Sequence, residues 1–224
     1  ISVPKKIREK VRQQWQAGVF DAQRAADAEI VLREWLVDEG YLRADIDHAI
    51  SEPQPDTKRV LFDMKSGTRF RNVTIEFDGA QGVEPEKLRD VIKDEELMTE
   101  VYTDSPKVRD LLRRYYAEMG YLGATIGEPE YKLDPASAGG TVVFPVKEGP
   151  LYRVGDVRFE GNEILSDGRL AEAAPLEKGE RFQPVLRQNA IQRVREAYTE
   201  LAFNSAEVEF QMTPSPEEGI ADIT

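Results

Sequence analysis

The chain has 224 residues and carries 42 acidic against 30 basic side chains, a formal net charge of −12. Binding to nucleic acid needs clustered cations, so this balance argues against it. Zero Cys and a single His exclude disulfide frameworks, thiolate nucleophiles and the common Cys- and His-based metal sites. No stretch approaches the roughly 20 consecutive apolar residues of a membrane-spanning helix. The composition predicts globular domains that lack the parts of most enzymes.

An internal repeat organises the chain. A shift of 82 residues places Phe62 on Phe144, Gly67 on Gly149 and Phe77 on Phe159, and a shift of 80 places Gly40-Tyr41-Leu42 on Gly120-Tyr121-Leu122. Such a register over most of a unit is the signature of a tandem repeat. We expect three copies, which occupy residues 1–67, 68–149 and 150–224. The first lacks its opening strand and the last contains only part of its final strand, as in a fragment of a longer protein.

Each copy contains the same predicted elements in the same order. An alternating run such as Val73–Phe77 predicts an opening strand, and a short helix follows, around residues 85–92 or 167–174. A longer helix shows the i, i+3, i+4, i+7 apolar spacing, for example from Val108 to Met119. Two more extended runs complete the unit. The predicted fold class is α+β: tandem β-α-α-β-β repeats, each a small three-stranded mixed sheet packed against two helices.

Glycines mark the predicted ends of the long helices. Gly40 and Gly120 stand where a left-handed C-terminal cap is expected. Ala202 takes the corresponding place in the third copy, so its cap must differ or be strained. The aromatic residues on the long helices, such as Trp35 and Tyr116, are interpreted as core residues.

Carboxylate groups offer the main alternative to a non-enzymatic chain. Asp45 and Asp47 lie beside His48, but strand alternation directs His48 to the opposite face, so a solvated surface is favoured over a metal site. The run Asp94-Glu95-Glu96 is interpreted in the same way. No phosphate-binding loop or nucleophile elbow occurs. We expect no catalysis, cofactor or metal.

The segment Phe144-Pro-Val-Lys-Glu-Gly-Pro-Leu-Tyr-Arg-Val-Gly-Asp-Val-Arg-Phe-Glu-Gly-Asn162 resembles the junction between POTRA domains of outer-membrane assembly factors of the BamA and TamA type. Two further motifs are similar to those of this family. They are Gly179 before Phe182, and the Tyr-x-x-x-Gly-Tyr pattern from Tyr116 to Tyr121. The resemblance covers nearly all of the chain. The first junction is a looser match, with Asp78-Gly79-Ala80 in place of Glu-Gly-Asn.

The resemblance implies a periplasmic, non-enzymatic scaffold that is attached to the bacterial outer membrane through a C-terminal β-barrel outside this fragment. Its expected partners are unfolded outer-membrane protein clients, periplasmic accessory subunits and that barrel. Clients would bind by β-augmentation, because an edge strand offers unpaired N–H and C=O groups to any extended chain. Similar repeats in two-partner secretion transporters, and a single unit in cell-division proteins, leave dedicated export or simple docking as alternatives.

In this family the strand after the long helix is expected at the sheet edge. Its three copies here are predicted over residues 41–50, 121–131 and 203–212, with Pro129 interrupting the second. The third copy alternates cleanly and is the best candidate. The predicted partner-binding residues are Ser205, Ala206, Glu207, Val208, Glu209, Phe210, Gln211 and Met212, with Tyr121, Leu122, Ala124 and Ile126, and Tyr41, Leu42, Ala44 and Ile46.

Charge is unevenly distributed among the three copies. Their formal net charges are −1, −5 and −6 in chain order. The second and third copies would be repelled by anionic lipid headgroups at distances within the screening length of about 8 Å. We therefore expect protein partners and no strong direct lipid binding.

Overall fold

The computed structural model describes residues 2–55 and 57–224. These residues form two compact units. The first contains residues 2–55, 57–78, 85–109 and 128–145, and the second contains residues 79–84, 110–127 and 146–224. Residues 68–149, the predicted second repeat, thus contribute to both units. The boundaries of the three repeats remain a prediction.

The described residues contain seven helices and nine strands, numbered in chain order. The helices are α1 (Lys5–Gln16), α2 (Asp21–Asp38), α3 (Pro85–Asp94), α4 (Glu100–Thr103), α5 (Ser105–Glu118), α6 (Asp167–Ala173) and α7 (Pro184–Thr199). The strands are β1 (Asp45–Gln54), β2 (Thr57–Lys65), β3 (Asn72–Asp78), β4 (Thr125–Ile126), β5 (Glu130–Asp134), β6 (Gly139–Lys147), β7 (Arg153–Val157), β8 (Met212–Ser215) and β9 (Ile220–Ile223).

In the first unit, helices α1 and α2 pack with the antiparallel hairpin β1–β2. Leu32, Trp35 and Leu36 recur at helical spacing on α2 and are buried with Ala44 and Ile46. Ile7 and Val11 of α1, one turn apart, cover the same cluster. The order of elements over residues 2–65 is therefore α-α-β-β.

Strand β6 is the centre of a mixed sheet. Its residues 139–145 run parallel to β3, and residues 139–143 run antiparallel to β5. The rings of Phe77 and Phe144 stack at 5.9 Å between their centroids, and both side chains are buried. Residues 146–147 pair with the two-residue strand β4. The predicted interruption at Pro129 is confirmed, because β4 and β5 flank it as two short strands.

The second unit ends in the three-stranded sheet β7-β9-β8, with β9 in the centre. β9 runs parallel to β7 and antiparallel to β8. Val154, Ala221 and Ile223 face a buried cluster that Phe182 and Leu186 complete. The order β7-α6-α7-β8-β9 is the predicted β-α-α-β-β, and the α+β fold class with small mixed sheets is confirmed.

The long helices α2, α5 and α7 end in the same cap. The N–H of Tyr41 bonds to the carbonyl of Leu36, Tyr121 to Tyr116, and Phe203 to Tyr198, at 2.8–3.0 Å. The cap residues Gly40, Gly120 and Ala202 have φ of 89°, 89° and 65°. Ala202 thus adopts the glycine conformation and bears the steric strain of a Cβ atom there, which is the second of the two outcomes that the sequence left open.

Candidate functional site

The predicted binding residues lie in three stretches that follow the long helices, but most do not belong to strands. The predicted start of the strand is wrong for Tyr41, Leu42, Ala44, Tyr121, Leu122 and Ala124. These residues form turns, closed by hydrogen bonds from Ala44 N–H to Tyr41 and from Ala124 N–H to Tyr121 at 3.3 and 3.1 Å. The helix cap holds each tyrosine against the helix end, so the chain becomes extended only after the turn. Ile46 lies in β1 and Ile126 lies in β4.

The third stretch also differs from its prediction. Met212 opens β8, but Ser205, Ala206, Glu207, Val208, Glu209, Phe210 and Gln211 lie outside the strands. The segment still alternates, because Ala206, Val208 and Phe210 are half-buried while Glu207 and Glu209 are exposed. No other strand lies beside residues 205–210 in the described part of the chain, so no ladder forms. The alternation was predicted correctly and the pairing was not.

The sheets have edge strands in the expected places. Within the described residues, β1 pairs only with β2, β4 and β5 only with β6, and β8 only with β9. Strands β4, β5 and β8 lie beside the central strand of their sheets, whereas β1 belongs to a two-stranded sheet; each of the four comes after a long helix in the chain. The backbone on its outer side has no strand partner. This arrangement permits β-augmentation, which uses backbone groups alone.

Strand β8 shows which backbone groups face outward. Gln211 and Thr224 exchange two hydrogen bonds, at 2.8 and 3.0 Å, so the N–H of Gln211 faces the sheet. In an antiparallel pair the N–H groups alternate in direction along a strand. The N–H of Met212 therefore points outward, and Pro214 has none to offer. The open edge begins at Met212 and extends towards Ser205, since Pro214 ends its row of donors.

The side chains of the Ser205–Gln211 segment hold it on the domain. Val208 and Phe210 pack on a cluster that contains Leu170, Ala190 and Val194. The guanidinium of Arg187 lies 5.8 Å from the centre of the Phe210 ring. Apolar residues thus face the core, and the two carboxylates face solvent. Exposed charges on an edge oppose indiscriminate association.

A contact that the sequence did not predict joins the ends of α2 and α5 to the residues just before β3 and β7. The N–H of Phe70 donates to the carbonyl of Gly40 at 2.8 Å, and the N–H of Tyr152 donates to Gly120 at 2.9 Å. Phe70 and Tyr152 are both buried. The repeated order of a helix-ending glycine and a strand-opening aromatic was the available signal. Its two members are 30 and 32 residues apart, beyond the reach of any local pattern.

Glu148 is a second residue whose role sequence reasoning missed. Its carboxylate accepts hydrogen bonds from the N–H groups of Gln81 and Gly82 at 2.9–3.0 Å and from the hydroxyl of Tyr116 at 3.0 Å. Burial, and then the bond to this carboxylate, raise the pKa of the Tyr116 phenol above its usual value. The Glu-Gly-Pro turn thus organises the loop at residues 79–84. Its role is structural.

The carboxylates considered for metal binding do not converge. The imidazole Nδ1 of His48 lies 3.1 Å from the carboxylate of Glu29, while Asp45 pairs with Lys65 at 3.7 Å. Among the described residues no group of three or more acidic or His side chains is placed to hold a metal ion. None of the helices over residues 2–55 and 57–224 combines the length and apolarity needed to cross a bilayer.

Comparison with known proteins gives a family match and two curated relatives. Residues 152–224 match the family POTRA, described as "Surface antigen variable number repeat". The outer membrane protein assembly factor BamA of Nitratidesulfovibrio vulgaris is 24% identical over 83% of this chain and 25% of its own length. A putative outer membrane protein assembly factor of Treponema pallidum is 26% identical over 78% of this chain and 22% of its own length. The chain spans about a quarter of these relatives.

The chain is also similar to a solved structure of Haemophilus influenzae BamA POTRA3-5. The match covers 99% of this chain and 89% of the chain in that structure, at 18% identity and a TM-score of 0.46.

Proposed function

We propose that this chain, a run of POTRA domains of the BamA type, is the periplasmic scaffold of an outer-membrane protein assembly factor. It binds unfolded outer-membrane proteins or accessory subunits by β-augmentation at its edge strands. The full-length protein is anchored in the outer membrane by a β-barrel, as an assembly factor requires. The scaffold works through backbone groups, so it needs neither a cofactor nor a catalytic residue.

The outward N–H of Met212 is the observation that carries this proposal. It stands at the open edge of β8. Because N–H direction alternates along an extended segment, the N–H groups of Phe210 and Val208 point to the same side as that of Met212. A client strand would pair with this row. The client's side chains contribute little to such pairing, which suits a scaffold that receives many different sequences.

Proline substitutions test the row directly, because proline removes one N–H donor. Val208→Pro and Met212→Pro take away outward donors and should weaken the binding of an extended, alternating β-strand peptide by roughly tenfold or more, the loss of at least one hydrogen bond plus a steric clash. Val208→Ala and Met212→Ala remove the same side chains but keep the N–H groups. Peptide affinity would be measured by fluorescence anisotropy, and folding by circular dichroism.

Glu209→Pro is the matched control, since its N–H points away from the outer edge and its side chain is exposed. It should leave peptide affinity unchanged. Equal affinity of the folded Val208→Pro, Met212→Pro and unsubstituted chains would contradict the proposal. Binding of one exported protein to the exclusion of other β-strand peptides would instead indicate dedicated export.

A further inference from the structure

Within the first unit, Arg43 reaches the edge strand β5. Its guanidinium donates a 3.0 Å hydrogen bond to the backbone carbonyl of Tyr131, although the two residues are 88 positions apart. Arg43 lies in the turn that follows α2. The hydroxyl of Tyr131 donates to the carbonyl of Val101 at 2.6 Å, which fixes the tyrosine on α4. A charged side chain of the first predicted repeat thus occupies part of the edge of the second.

The carbonyl that Arg43 binds points away from its sheet. Arg89 donates a 3.0 Å hydrogen bond to the carbonyl of Ile75, so the backbone of Ile75 faces away from β6. In a parallel pair only one of two opposite residues bonds to the other strand, so Val142, opposite Ile75, directs its groups to β3. Tyr131 is paired with Val142 on the other side of β6. Its N–H and C=O groups therefore point outward, where an added strand would bond to them.

Met212 is the equivalent of Tyr131 in the third sheet. Val142 and Ile223 are equivalent, since their partners on β3 and β7 are related by the 82-residue shift. Tyr131 lies opposite Val142 on β5, and Met212 lies opposite Ile223 on β8. Both edge residues therefore present outward backbone groups at the same place in the repeat.

The equivalent of Arg43 is Gly123, which has no side chain. A shift of 80 residues superposes the turns that follow α2 and α5 and places Arg43 on Gly123. The surroundings also correspond. A Cβ atom on Gly67 would lie 3.8 Å from the carbonyl oxygen of Arg43, and one on its equivalent Gly149 would lie 3.8 Å from that of Gly123. A Cβ atom on Gly123 would meet no atom within 4 Å. The second turn thus lacks the charged side chain but has room for one.

We propose that Arg43 closes the β5 edge to extended polypeptides, whereas Gly123 leaves the equivalent edge at β8 open. The guanidinium occupies the outward carbonyl of Tyr131, which an added strand must bond. Its charge also opposes the approach of another backbone, as charged side chains do on other sheet edges. The edges of the chain are therefore unequal, and a client reaches β8 in preference to β5. This inference rests on the proposed function, because it selects among the edges at which clients bind.

Reciprocal substitutions test the inference. The probe is an uncharged, blocked peptide of alternating Thr and Val, so that the charge of an arginine neither attracts nor repels it. Gly123→Arg should lower the affinity for the peptide roughly tenfold, the effect of about one ordinary hydrogen bond, and Gly123→Ala should leave it unchanged. Arg43→Ala should create a second binding site. Arg59→Ala, which removes the same charge from β2, should not.

Hydrogen exchange locates the bound peptide, and circular dichroism confirms that each variant is folded. In the unsubstituted chain the peptide should slow exchange at the outward amide of Met212 and leave that of Tyr131 unchanged. In the double variant Arg43→Ala/Met212→Pro it should slow exchange at Tyr131 by roughly tenfold. Met212→Pro alone should show no slowing at Tyr131, because Arg43 still holds the carbonyl.

Two results would overturn the inference. One is protection of Tyr131 by the peptide in a chain that retains Arg43. The other is an unprotected Tyr131 after Arg43→Ala in a chain that binds the peptide at Met212. Absence of protection at Met212 in the unsubstituted chain would instead contradict the proposed function. The amide of Tyr131 in the Arg43→Ala variant would still show whether Arg43 closes its edge, so the two failures are distinguishable.

Discussion

The N–H of Tyr152 donates a 2.9 Å hydrogen bond to the carbonyl oxygen of Gly120, which links the end of α5 to the residue just before β7. Gly120 has a φ of 89°, and a Cβ atom there would lie 2.8 Å from Arg181 and 2.9 Å from Leu151. The bond depends on an uncrowded, left-handed residue at the helix end. Gly40 repeats the arrangement, with a Cβ that would lie 2.5 Å from the carbonyl oxygen of Phe70.

Gly120→Ala should lower the free energy of unfolding by roughly 2 kcal/mol, because alanine is strained in the left-handed conformation and its Cβ would crowd Arg181 and Leu151. Urea denaturation measures the change. Gly123→Ala is the control, since its Cβ would meet no atom within 4 Å, and it should change stability by about 0.5 kcal/mol or less. Equal effects of the two substitutions would show that Gly120 is not the special position.

Ala202→Gly should have the opposite effect. Ala202 occupies the left-handed cap of α7 with a φ of 65°, so removal of its Cβ relieves strain of about 1 kcal/mol. The melting temperature should rise. Ala206→Gly, in the extended segment, should instead lower stability by roughly 0.5–1 kcal/mol, because glycine has more freedom in the unfolded chain. A lower melting temperature for Ala202→Gly would contradict the strained cap.

Glu148→Ala should destabilise the chain by about 1–2 kcal/mol, since it leaves the N–H groups of the 81–83 loop and the Tyr116 hydroxyl without their acceptor. The loss of unfolding free energy in the double variant Glu148→Ala/Tyr116→Phe should be smaller than the sum of the two single losses, because the two side chains share a hydrogen bond. Glu130→Ala removes an exposed ion pair with Lys132 and should cost little. Strict additivity would show that the Tyr116–Glu148 bond contributes nothing.

The pH dependence of stability should include a contribution from Asp21. Hydrogen bonds from Lys58 and then Arg24 hold the pKa of this carboxyl below its usual 3.8. A carboxyl whose pKa is lower in the folded state stabilises that state at any pH above its unfolded-state pKa. This stabilisation is lost as the pH falls through the folded-state pKa. Asp21→Asn should therefore lower the melting temperature at pH 7, with a smaller difference as the pH falls below 3.8. Asp63→Asn provides an exposed control on β2. A difference independent of pH would exclude an ionic origin.

Local patterns predicted what depends on neighbouring residues. The i, i+3, i+4 spacing located α2 and α5, Pro129 located the break between β4 and β5, and Ala202 indicated the strained cap. The positions of the strands after the long helices were less accurate, because the cap folds Tyr41 and Tyr121 back before the chain extends. Pairing depends on which strand lies alongside, and no pattern within residues 205–211 contains that information. The contacts of Glu148 join residues 32 to 67 positions apart.

The hydrogen bonds that link the ends of α2 and α5 to the residues before β3 and β7 have a consequence for how such chains evolve. They join the main-chain carbonyl of Gly40 or Gly120 to the main-chain N–H of Phe70 or Tyr152, so each requires only one flexible residue and one residue with an N–H group. Side chains elsewhere can change without disturbing them. Whole repeats could then be duplicated, deleted or exchanged between proteins while the connection at their ends stays the same.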